Sequence, residues 1–94
     1  MLVTMYNIAI HLDGGCAHDN RQPVLTLKGK VVSATADSIK RLLDKNRKAI
    51  NKWLLFGRAQ LQACFEQTGE VIATGWYDYN AFSGHGEYQF QMER

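Results

Sequence analysis

One segment of this chain has the hydrophobic period of a helix, whereas the apolar residues elsewhere alternate as they do in strands. In residues 37–56 apolar side chains recur every three or four positions, which places them on one helix face. They are Ile39, Leu42, Leu43, Ala49, Ile50, Trp53 and Leu54. Thr35 is predicted to cap this helix, with Asp37 in its first turn and Gly57 at its end. The apolar stripe is therefore expected to be buried.

Five other segments have strand character. Alternating apolar residues mark the first strand, and three more runs follow the same period of two. The five predicted strands are centred on Tyr6, Ile8, Ile10 and Leu12; on Leu25, Leu27 and Val31; on Leu61, Ala63 and Phe65; on Val71 to Tyr79; and on Tyr88, Phe90 and Met92. Gly69 is predicted to take the left-handed position of a hairpin loop. The pattern predicts a single α+β domain over residues 1–94, with one amphipathic helix on a largely antiparallel sheet, in the order β-β-α-β-β-β.

Length and composition restrict the classes of protein to which this chain can belong. The chain has 94 residues, 46% of them hydrophobic and 21% charged, which is typical of one soluble globular domain. Residues 1–12 lack a basic leader region and a cleavage site, so no signal peptide is expected. No apolar run approaches the ~18 residues of a membrane span. Two cysteines are too few for a secreted disulfide scaffold. A cytoplasmic protein without a cofactor is the expectation.

Positive charge is concentrated in the predicted helix. Six of the eleven basic residues lie within residues 40–52, interrupted only by the acid Asp44. They are Lys40, Arg41, Lys45, Arg47, Lys48 and Lys52. Residues 21–58 carry a formal charge of +8 and residues 59–94 a charge of −4. The molecule is therefore predicted to be dipolar, with its cations on one helix face.

This charge pattern has two interpretations. A helix must present a polar face to water, and lysine serves that purpose. However, neighbours such as Arg41 and Lys45, or Lys48 and Lys52, carry like charge, and each such pair costs roughly 0.2–0.5 kcal/mol on an isolated helix. A helix face selected for solubility alone would more often mix positive and negative side chains. We therefore favour the interpretation that this face is a binding surface. Acidic protein and nucleic-acid backbone both remain open as its partner.

A loop near the first strand is rich in potential metal ligands. It brings together His11, Asp13, Cys16, His18 and Asp19, which are residue types that could bind zinc or form a thiolate–imidazole pair. A structural zinc site would need a second pair of ligands, yet the remaining Cys64 and His85 stand alone. An enzyme built on Cys16 and His18 would lack its other parts. The sequence therefore predicts a polar surface loop, with no metal and no catalytic residue.

An aromatic group lies towards the end of the chain. Alternation places Trp76 on the sheet face opposite Tyr77 and Tyr79, so these residues cannot all belong to one core. At least one aromatic beside the glycine-rich residues 80–86 is expected to be exposed, and we select Trp76 or Phe82. Exposed aromatics on a sheet can stack bases or anchor a protein partner, so both are candidate partner-binding residues.

The whole profile resembles the small anti-CRISPR proteins that phages use against bacterial CRISPR surveillance complexes. The resemblance lies in a small domain, a basic helix on an antiparallel sheet, polar strand faces at Gln60 and Gln62 and at Gln89 and Gln91, and no enzyme motif. It implies a phage inhibitor in the bacterial host cytoplasm that docks on protein subunits of a type I complex, its guide RNA or its DNA channel. A sequence-tolerant nucleic-acid-binding module and a structural subunit of a larger assembly remain alternatives, and the oligomeric state stays open.

Overall fold

The fold is a five-stranded antiparallel sheet with two helices, seen in a computed structural model that describes residues 5–14 and 24–93. The elements are β1 (Tyr6–Gly14), β2 (Val24–Val31), α1 (Ala36–Lys45), α2 (Arg47–Leu54), β3 (Phe56–Phe65), β4 (Val71–Asn80) and β5 (His85–Met92). The strand order is β2-β1-β3-β4-β5, and every neighbouring pair is antiparallel. This confirms the α+β class and corrects the predicted order, because two helices stand where one was expected.

The helical segment divides at Asn46. Its backbone N–H donates to the Leu43 carbonyl at 3.1 Å, and its side-chain amide donates to the Leu42 carbonyl at 2.8 Å. An asparagine side chain that bonds nearby backbone in this way competes with the helical ladder. The apolar stripe nevertheless continues across the break, since Ile39, Leu43 and Ile50 are all fully buried. The sequence period therefore gave no sign of the division.

The helix boundaries match the sequence prediction at one end only. Ser38 N–H donates to the Thr35 hydroxyl at 3.3 Å, which confirms the predicted N-cap. At the other end α2 stops at Leu54, before the predicted end at Gly57. Leu55, rather than this glycine, takes the positive φ of 63° that follows the helix. Gly57 lies two residues later, inside β3, with φ 114°. A hydrogen bond from Ala81 N–H to the Leu55 carbonyl holds this turn at 2.9 Å.

The core lies between the helices and one face of the sheet. Leu43, Ile50, Trp53 and Leu54 are buried as predicted, whereas Leu42 is only half-buried and Ala49 is exposed. Leu42 packs over Gly29 of β2, while Asp44 reaches Tyr88 of β5. Both edge strands therefore contact α1. No helix in the described part of the chain is long and apolar enough to cross a membrane.

The opposite sheet face carries polar side chains. The register places His11, Gln62, Thr74 and Gln91 in one row across four strands, and Asp13, Gln60, Trp76 and Gln89 in the next. Alternation in each strand separates these residues from the core-facing positions. The helices thus cover one face only, and the candidate binding residues must be assigned to one face or the other.

Candidate functional site

The six cations of the basic cluster are all exposed, but they fall on two sides of the helix layer. Arg41, Lys45, Lys48 and Lys52 follow one another at intervals of four, three and four residues, which places them along one outward helix face. We call these four residues the basic stripe. Lys40 and Arg47 belong to a different row, which faces β5. The expectation that all six cations share one face therefore holds for four of them.

The basic stripe is poorly compensated by acids. Arg41 pairs with Asp37 one helical turn earlier, with Nη2 3.3 Å from Oδ2. Among residues 5–14 and 24–93, no carboxylate forms an ion pair with Lys45, Lys48 or Lys52. Because all three lysines are exposed, they remain hydrated and available to an anionic partner.

The positive surface extends from the stripe towards β2. A groove between α1 and β2 is lined by Arg41 and Lys45 on the helix side and by Lys28 and Lys30 on the strand side. Lys28 is paired with Glu66 at 3.1 Å, whereas Lys30 forms no ion pair with a described residue. These two lysines were missing from the predicted cluster, because their distance from the helix along the chain hides their proximity in the fold.

The row that faces β5 contains Lys40, Asp44, Arg47 and Asn51, again at intervals of four, three and four. Arg47 donates from Nη2 to the Gly86 carbonyl at 3.2 Å and lies over the Tyr88 ring at 5.6 Å. These contacts hold the guanidinium against the edge of the sheet. Arg47 is therefore partly committed to the fold, unlike the lysines of the basic stripe.

Two tyrosines complete the contacts of this row. The Tyr88 hydroxyl donates to Asp44 Oδ1 at 2.8 Å, and the Tyr77 hydroxyl donates to Asn51 Oδ1 at 2.7 Å. Burial, together with the bond to Asp44, raises the pKa of Tyr88 to about 12. Burial also raises the pKa of Tyr77. Both phenols are therefore neutral hydrogen-bond donors at physiological pH. A groove lined by Lys40, Asp44, Arg47, Tyr88 and Phe90 runs beside them, and we call it the β5 groove.

Trp76 lies on the sheet face away from the helices. The Arg58 guanidinium stacks over its ring at 4.2 Å and forms two hydrogen bonds with Asp78, at 2.8 and 3.0 Å. The same bonds lower the pKa of the Asp78 carboxyl. Trp76 is half-buried under this pair. The structure therefore does not bring Trp76 together with the basic stripe.

Phe82 is the exposed aromatic expected near the glycine-rich turn, with 90% of its surface accessible. It lies in the turn between β4 and β5, where its N–H donates to Asn80 Oδ1 at 2.9 Å. Its ring is 6.2 Å from that of Phe56, measured between centroids. Phe82 is thus presented at one end of the sheet, beside the segment that follows α2.

The predicted ligand-rich loop falls mostly outside the described residues, which exclude Cys16, His18 and Asp19. His11 and Asp13 lie on β1, and His11 Nδ1 is 3.1 Å from the Thr26 hydroxyl. Within residues 5–14 and 24–93, no three histidine, cysteine, aspartate or glutamate side chains come together as metal ligands. Cys64 is buried in β3.

No protein-family profile matches this chain, and neither a curated protein nor a solved structure matches it. The assignment of a function therefore depends on the surfaces themselves.

Proposed function

We propose that this chain is a non-enzymatic binding protein that docks through its basic stripe on an anionic surface of a macromolecular complex. The observation that carries the proposal is the set of three exposed lysines, Lys45, Lys48 and Lys52, that have no acidic partner among the described residues. They stand on a helix layer packed against the sheet, so their spacing is fixed before a partner arrives. Such preorganisation lowers the entropic cost of binding.

The partner we propose is a type I CRISPR surveillance complex, and the role is that of a phage inhibitor that blocks binding of target DNA. The small size of the domain, its basic helices and its resemblance to anti-CRISPR proteins support this choice. Lys30 would enlarge the contact, because it lines the groove between α1 and β2 next to Arg41 and Lys45. Steering by the dipolar charge would speed the encounter.

The test is a titration of the chain against a purified type I complex, run beside bare single-stranded and double-stranded nucleic acid. The double variant Lys48→Glu with Lys52→Glu should weaken binding by more than about tenfold, because each reversal turns an attraction into a repulsion. The control is Lys48→Arg with Lys52→Arg, which preserves the charge and should preserve the affinity. Both variants should melt like the wild type, since exposed charges contribute little to stability.

Two results would contradict the proposal. Undiminished binding by the glutamate variant would show that the basic stripe is not the contact surface. Tight, salt-sensitive binding to bare nucleic acid, without added affinity for the complex, would identify a sequence-tolerant nucleic-acid-binding module instead.

A further inference from the structure

β5 is an edge strand, with β4 on one side and no strand of the described sheet on the other. Glu93 N–H donates to the Ile72 carbonyl at 2.8 Å, and the register pairs Gln91 with Thr74 and Gln89 with Trp76. In an antiparallel pair, hydrogen-bonded positions alternate with positions whose N–H and C=O groups point the other way. The backbone groups of the alternate residues, Tyr88 and Phe90, therefore point away from β4.

The contact made by Arg47 agrees with this assignment. Gly86 belongs to the same alternate set as Tyr88 and Phe90, and its carbonyl accepts the Arg47 guanidinium rather than a group of β4. Further along the strand, within residues 5–14 and 24–93, no backbone or side-chain group bonds the outward N–H and C=O of Tyr88 and Phe90. An open stretch of edge therefore follows the point that Arg47 occupies.

The two edges of the sheet differ in how they resist pairing with another chain. Lysines and prolines on an edge strand discourage such pairing. Edge strand β2 carries Lys28 and Lys30, whereas β5 has neither lysine nor proline and only one charged residue other than histidine, Glu87. The alternating sequence of β5 is thus compatible with an added strand, while the lysines of β2 disfavour one.

The β5 groove lies beside this open edge and determines which segment fits it. An added strand would direct alternate side chains towards the helix layer, where Lys40 and Arg47 line the groove. On the helix side of the groove the acid is Asp44, which already accepts the Tyr88 hydroxyl. Glu87 also lines the groove, but alternation along β5 directs its side chain to the sheet face away from the helices. Acidic side chains would complement this wall. A second copy of this chain would instead bring its own Lys40 and Arg47 to the same seam, and like charges would oppose each other.

From these observations we infer that β5 is a docking edge for an extended, acidic segment of a partner protein, which adds to the sheet as a sixth strand with its carboxylates facing Lys40 and Arg47. Backbone hydrogen bonds to Tyr88 and Phe90 would hold the segment, and the groove would select its side chains. This site is separate from the basic stripe, so it goes beyond the proposed function and does not depend on it.

The probe for this site is a synthetic peptide of eight residues, the length of β5, with alternating valine and glutamate. A matched peptide carries lysine in place of glutamate. Titrated into ¹⁵N-labelled protein, the glutamate peptide should shift the amide signals of Tyr88 and Phe90 and slow their hydrogen exchange. It should bind at least about tenfold more tightly than the lysine peptide, because the wall of the groove is basic.

Two variants separate the backbone contact from the loss of the Phe90 ring. Phe90→Pro removes the outward N–H while leaving the β4 ladder intact, because proline is tolerated on an edge strand. Phe90→Ala removes the same ring and keeps the N–H. The proline variant should bind the glutamate peptide at least about tenfold more weakly than the alanine variant. Binding of the CRISPR complex through the basic stripe is expected to be the same in both variants.

Three results would overturn the inference: no amide shifts on β5, equal affinity for the two peptides, or equal affinity of the two variants. The protein could also prove to be dimeric, with the Tyr88 and Phe90 amides protected before any peptide is added. That result would show that a second copy occupies the edge, and it would contradict the inference as well. If folding of Phe90→Pro were impaired, Lys40→Glu would still decide the question, because it should reverse the preference between the peptides.

Discussion

Gly75 provides the most demanding test of the sheet packing. A Cβ at this position would clash with the backbone carbonyl of Gln89 and lie 2.5 Å from Phe90 Cα, whereas ordinary contacts begin near 3.4 Å. Replacement by alanine would therefore require the β5 backbone to move by at least about 0.9 Å, and by more at the Gln89 carbonyl. Overpacking of a tight site costs roughly 1–3 kcal/mol, and we expect Gly75→Ala to reach ~3 kcal/mol or more because backbone, rather than a flexible side chain, is displaced.

The assay is thermal and urea unfolding followed by circular dichroism. A loss of ~3 kcal/mol should lower Tm by roughly 12–24 °C in a domain of this size. Gly29→Ala is the matched control, because the nearest atoms to its Cβ, at 3.1 Å and beyond, would belong to the Leu42 side chain, which can move. If Gly75→Ala and Gly29→Ala melted within about 2 °C of each other, equivalent to less than ~0.5 kcal/mol, the close approach of β4 and β5 would be wrong.

Two further predictions concern the helix layer and its tyrosine contact. Ile50→Ala and Leu54→Ala should each lower the free energy of unfolding by roughly 2–5 kcal/mol, since both side chains are fully buried. An unchanged thermal melt for both variants would show that the helices do not pack against the sheet. Tyr88, with its pKa of about 12, should stabilise the fold fully below the unfolded value near pH 10 and lose that contribution as the pH rises through 12. In an absorbance titration Asp44→Asn should move the Tyr88 transition to lower pH, and an unmoved transition would refute that cause.

Local patterns were sufficient to predict most of the elements. Alternation located β1 and β5, Thr35 marked the start of α1, and Gly69 adopts φ 75° in the predicted hairpin loop. These features depend on side chains a few positions apart, so the sequence displays them directly. The end of α2 was less visible, because a leucine, Leu55, takes a positive φ there and only its contact with the β4–β5 turn accounts for it.

The composition of the candidate site could be predicted only in part. The intervals between Arg41, Lys45, Lys48 and Lys52 are in the sequence, and the outward stripe follows from them. The separation of Lys40 and Arg47 from that stripe depends on Tyr88 and Gly86, some forty residues away. Such contacts are set by strand order, which local periodicity does not encode. The roles proposed for Trp76 and Phe82 stay predictions.

The position of β1 in the strand order has a consequence for how this chain folds. β1 and β2 form a hairpin, and β3, β4 and β5 form a meander, so both units use contacts between consecutive strands. Among the described strands, the pairing of β1 with β3 alone joins the two units, and β2 and the two helices lie in the chain between these partners. Closing this long loop is the entropically costly step of assembly. Substitutions along the β1–β3 seam, such as at Leu12 or Leu61, should therefore slow folding, whereas those in β5 should mainly accelerate unfolding.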